Sequence, residues 1–109
     1  MEEDIETRVE NFRIALSGIK VLLDKAHQDP SFLNKPSILD PEDSNGEYLL
    51  DVMQILEGES SYIHRKDPIK SREALEEYRK LSHHFVQVVL RYSDTNLIYP
   101  NQEDIISEN

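Results

Sequence analysis

The sequence has no cysteine, no tryptophan, only three glycines, and 12 basic residues against 22 acidic ones. Without cysteine there is no disulfide framework, no thiolate metal ligand and no thiol nucleophile, which fits a reducing, cytoplasmic setting. Gly18, Gly46 and Gly58 stand too far apart to build either common phosphate-cradling loop, and no Gly-x-Ser-x-Gly elbow occurs. No apolar run approaches the roughly 18 residues that span a bilayer, and the acidic start MEEDIETRVE lacks the apolar region of a signal peptide. The formal net charge of −10 works against nucleic acid and anionic membrane as partners, because both require a positive surface. A basic protein partner is the electrostatic complement.

What is present is helical periodicity. Ile5, Val9, Phe12, Leu16, Ile19, Leu23 and Ala26 recur at alternating spacings of four and three, which predicts one apolar stripe on a helix over about 3–27. Ala15 and Leu22 widen the stripe, and Gly18 is a candidate for a close helix crossing. The segment 28–46 contains Pro30, Pro36, Pro41 and Gly46, so it ends the first helix and runs as a long connection. Phe32, Leu33, Ile38 and Leu39 are expected to anchor it over the bundle, and it has the length for a short fourth helix.

Ser44 and Glu47 have the spacing of a capping box and open a second helix, about 45–63, with Tyr48, Leu49, Val52, Ile55, Leu56, Glu59, Tyr62 and Ile63 as its stripe. Gly58 and Ser60-Ser61 weaken its last turns. Asp67-Pro68 breaks the chain or caps a short turn. A third helix over about 71–92 turns Leu75, Tyr78, Leu81, Ser82, Phe85, Val88, Val89 and Tyr92 inward. Three helices with one apolar stripe each predict an all-α antiparallel bundle, a single domain over 1–100, with 101–109 as an acidic flexible tail.

Charge is unevenly spread along this frame. Residues 47–63 hold Glu47, Asp51, Glu57 and Glu59 without a base, and 93–109 hold Asp94, Glu103, Asp104 and Glu108 without one. Residues 64–80 carry Arg65, Lys66, Lys70, Arg72, Arg79 and Lys80. His83 and His84 have cations or apolar residues, not ligands, at helical offsets, and Asp24 with His27 is an isolated pair. No metal site and no cofactor is expected. The binding surface expected from charge, and from tyrosines beside a proline-fixed loop, comprises Glu47, Asp51, Tyr92, Asp94, Leu97, Ile98, Tyr99, Glu103 and Asp104. A second use of the first stripe, Ile5, Val9, Phe12, Leu16, Ile19 and Leu23, is as the seam of a homodimer or a structural adaptor.

Two resemblances bear on function. Leu81, Phe85 and the run Asn96-Leu97-Ile98-Tyr99-Pro100 resemble the second helix and following loop of the immunity proteins that block nuclease colicins. That resemblance implies a four-helix fold whose acidic helix and tyrosine-bearing loop dock on a basic toxin. This chain has one tyrosine where the family has two, and Arg79, Lys80 and Arg91 where the family's helix is acidic. Arg79 with His84 resembles the arginine-to-histidine spacing of HEPN domains, which implies dimeric RNA cleavage by those two residues. Lys80 stands where that family commonly has asparagine. The resulting order of readings is an inhibitory binding protein first, a coiled-coil subunit second and a ribonuclease third.

Overall fold

The computed structural model describes residues 4–98, with side chains through Asp94. Helix α1 spans Ile5–Gln28, α2 spans Asn45–Lys66 and α3 spans Arg72–Ile98, with a 3₁₀ turn at Pro30–Asn34 between the first two. The chain is an all-α bundle, and no strand occurs among the described residues apart from one isolated bridge between Pro36 and Ser44. Among the described residues no helix is long and apolar enough to cross a membrane.

Each helix begins where a side chain can satisfy amides that the helix leaves unpaired. Asp4 accepts from the Glu6 amide at 3.1 Å and opens α1. Asp29 closes that helix through its own amide and then caps the 3₁₀ turn, accepting from the Ser31 amide at 3.1 Å and hydroxyl at 2.7 Å. Ser44 Oγ accepts from the Glu47 amide at 3.1 Å, as a capping box requires. The return half differs: the Glu47 carboxylate accepts from the Ser44 hydroxyl at 3.3 Å. Asp67 accepts from the amides of Ile69 and Lys70, making the Pro68–Ser71 turn that feeds α3.

Two helices run longer than the sequence pattern predicts. Ser60 is buried with its hydroxyl satisfied by the Glu57 carbonyl at 2.7 Å, Ile63 beyond it packs into the core, and α2 continues past Gly58 and the serine pair to Lys66. Residues 93–98 contain neither glycine nor proline, and α3 continues to Ile98, two residues short of Pro100. Asn96, Leu97 and Ile98 therefore belong to a helix and not to a loop. The expected tail, 101–109, and Tyr99, Glu103 and Asp104 lie outside the described residues.

Ion pairs fix the topology. Lys70 reaches Glu6 at 2.7 Å, Arg13 pairs with Glu77, and His84 meets Asp24 at 3.0 Å, so α1 and α3 run parallel. Arg8 forms a bidentate pair with Glu59, at 2.6 and 2.9 Å, and lies 3.8 Å over the Tyr62 ring, which sets α2 antiparallel to α1. The chain is an up-down-up bundle in which α2 and α3 touch each other less than either touches α1.

The core buries Val9, Phe12, Leu16, Ile19, Leu23 and Ala26 from α1 against Leu49, Met53, Leu56 and Ile63 from α2 and Ala74, Leu81 and Val88 from α3. Five of the six residues assigned to an oligomer seam are thus buried within the chain's own core, and the sixth, Ile5, is half-buried against it. The large apolar side chains left exposed on α1 are Ile14 and Val21, seven residues apart on another side of the helix.

Several other expectations are corrected. Ile55 is exposed because it lies about 100° around the helix from Leu56, and Met53 takes its place in the core. Phe32 and Leu33 do anchor the connection, whereas Ile38 and Leu39 are exposed. The segment between them is closed by the Ser37 amide on the Asp43 carbonyl at 2.9 Å and the Asn45 amide on the Lys35 carbonyl at 2.8 Å. That pinching turns Ser37 inward and the tip out. Gly18 faces open space, so no helix crosses there, and Ala15 is exposed.

Candidate functional site

Two clefts flank the bundle. The first, about 440 Å³, lies between α1 and α3 over Leu16 and Leu81, with Lys20, Asp24, Glu77, Lys80 and His84 on its walls. Asp24 accepts from Lys20 Nζ at 2.9 Å and faces His84 Nε2 at 3.0 Å. The Lys20 hydrogen bond and then the His84 contact hold the Asp24 carboxyl below the usual carboxylate range. The His27 and His84 rings are 5.7 Å apart.

Arg79 does not join this group. It pairs with Glu76 at 2.6 Å and is largely exposed. Five residues separate Arg79 from His84, a rotation of about 140° on a helix, so the two project from different sides of α3 and share no centre within one chain. His83 sits with Gln87 at 3.2 Å on the surface. Among the described residues no group of three or more His, Asp or Glu side chains converges as metal ligands. What the first cleft can do chemically is hold two helices together through a Lys–Asp–His cluster.

The second cleft, about 560 Å³, opens between the start of α2, the 3₁₀ turn and the last turns of α3. Its walls are Leu33, Leu49, Leu50, Phe85, Val88, Val89 and Tyr92, with Asn34, Ser44, Gly46 and Ser93 between them. Among the described residues Glu47 is its only charged lining residue. Its shape follows from the short connection. Asn45 Nδ2 donates to the Phe32 carbonyl at 2.9 Å, and Tyr92 Oη donates to Asn34 Oδ1 at 2.7 Å, tying the turn to both helices. Gly46 lies where an added Cβ would stand 3.2 Å from the Leu33 carbonyl, so a side chain there would push the turn away and reshape the wall.

Acids gather around Glu47. Asp51 is one helical turn beyond Glu47 on the same strip of α2, and Asp40 and Asp43 lie in the preceding loop. Partial burial, reinforced by Asp40, Glu47 and Asp51, raises the Asp43 carboxyl above its ordinary range. The penalty on ionised Asp43 is complete above that raised value and disappears below the ordinary carboxylate range. Asp43→Asn is therefore expected to raise the melting temperature at neutral pH, with the gain fading as pH falls through the carboxylate range. Melting curves across that range test it; no gain at neutral pH would mean the acids are not crowded.

Of the residues assigned to binding from sequence, the structure brings Glu47 and Tyr92 to this cleft, and Asp51, one residue on from Leu50, is not among its walls. Asp94 is exposed on the far side of α3, about 200° around from Tyr92. Leu97 and Ile98 are helical in backbone, and Tyr99, Glu103 and Asp104 lie outside the described residues. Sequence reasoning missed Asp40, Asp43, Leu50 and Ser93, and it assigned Phe85 and Val89 to the core. Their only advance signal was that Asp40, Glu42 and Asp43 cluster just before the Ser44 cap.

The chain matches no known family model, no characterised protein and no solved structure. The fold and the cleft together define its class as a three-helix bundle with an acid-rimmed apolar groove.

Proposed function

We propose that the protein is a binding module of the inhibitory kind, immunity- or antitoxin-like, that docks on a basic protein and blocks it by charge and apolar contact. The observation that supports this most is the second cleft, where apolar walls meet Glu47, with Asp43 beside it and Asp40 and Asp51 in the same acidic neighbourhood. Clustered charge of one sign speeds encounter with a partner of the other sign, and a desolvated apolar pocket supplies the slow dissociation. Phe85, one of the residues that carry the likeness to the colicin immunity proteins, stands in that wall.

The test is affinity capture from the native host at low and high salt, comparing the wild-type chain with an Asp43→Lys, Glu47→Lys double variant checked by circular dichroism. A basic protein held by the wild type at low salt, released at high salt and not held by the variant is the expected result. Equal retention by both chains, or capture of acidic proteins alone, would defeat the reading.

A further inference from the structure

The valley between α2 and α3 is open because these two helices are the least packed pair of the bundle, each leaning mainly on α1. Leu50 on α2 is half-exposed at its edge, and Val86 and Val89 on α3 are 50% and 41% exposed. Val86, Val89 and Ser93 follow one another at spacings of three and four, which places them on the same side of α3. Their apolar area continues the cleft beyond its mouth.

We infer that this valley is a receptor for one amphipathic helix of a partner, which lies opposite α1 as the fourth member of the bundle and carries basic residues at the end nearest Asp43 and Glu47. This deepens the binding reading and rests on it. Both walls are helices whose backbone groups are already paired, so they offer no open edge on which an extended strand could add. An occupant that buries itself here must bring its own satisfied backbone, and a helix does so. Its apolar face meets Leu50, Phe85 and Val89 in the way that parallel or antiparallel helices interdigitate. Among the described residues no cation lines the cleft, so the complementary flank is positive.

The probe is a labelled synthetic helix of leucine and lysine with apolar residues at three- and four-residue spacing, paired with a leucine and glutamate helix of the same pattern. Both are titrated with the full chain and followed by fluorescence anisotropy. The lysine helix is expected to bind, and the glutamate helix to bind far more weakly. Val89→Asp is expected to weaken the lysine helix roughly tenfold, although it adds negative charge, because it places a carboxylate in the apolar contact. Gln87→Asp makes the same charge change about 160° away on the exposed side of α3 and should keep the wild-type affinity. Leu50→Asp repeats the test from the other wall should Val89→Asp fail to fold.

If Val89→Asp and Leu50→Asp bind the lysine helix as tightly as the wild type, the attraction is diffuse charge. The valley is then overturned while the basic-partner reading survives. If the glutamate helix binds as well as the lysine helix and both are lost in Val89→Asp, the basic flank and the basic-partner reading fall together. A wild-type dimer in sedimentation that Val89→Asp disperses would show that a second copy fills the valley, which also overturns the inference.

Discussion

Leu23→Ala is expected to destabilise the protein by about 2–5 kcal/mol, the range for removing a large aliphatic side chain from a closed core. Leu23 is fully buried in α1, within the cluster to which all three helices contribute. The loss has two parts. One is the transfer free energy of the deleted carbons; the other is the cavity that remains because the neighbouring helices are held by their own contacts. Domains of this size have a total stability of about 5–15 kcal/mol, so the variant would stand near the edge of folding at physiological temperature. Urea unfolding followed by circular dichroism measures the effect. A midpoint within error of the wild type would mean that α1 does not sit as described.

Ala74→Leu should destabilise by about 1–3 kcal/mol for the opposite reason, an excess of atoms. Ala74 is fully buried in the first turn of α3, and Ser71 just before it is fully buried with its hydroxyl on the Asp67 carbonyl at 2.7 Å. Small residues at both positions allow α3 to enter the bundle closely, and three added carbons have no vacant volume to occupy. The same urea experiment applies, with Ala74→Ser as a near-isosteric companion that should lose less. A stabilised leucine variant would reveal an unfilled space at the entry of α3.

The helices were legible because burial follows the three-four spacing wherever a helix has two neighbours. In α1 the residues from Val9 to Ala26 that keep this rhythm are buried without exception. Phase was harder in α2, where Leu49, Met53, Leu56 and Ile63 and, one residue out of step, Tyr48, Val52, Ile55 and Tyr62 both keep the three-four rhythm, and only the first set is buried. Periodicity also carries no information about the distance between two helices. Phe85 and Val89 belong to the correct stripe of α3, yet they face a valley because α2 stands away from them. The acidic rim was half legible. Glu47 and Asp51 stand out by composition, whereas Asp40 and Asp43 come near Glu47 in a segment that the Ser37 and Asn45 hydrogen bonds fold back on itself.

Parallel α1 and α3, joined by partners such as Glu6 with Lys70 and Arg13 with Glu77, leave residues 64 positions apart as nearest neighbours. During synthesis the greasy side of α1 must therefore wait, uncovered on one flank, until α3 has emerged from the ribosome. A nascent chain arrested before Arg72 can form a helical hairpin but not a sealed interior. Closure of the bundle interior is thus tied to the arrival of α3 rather than to the hairpin that precedes it.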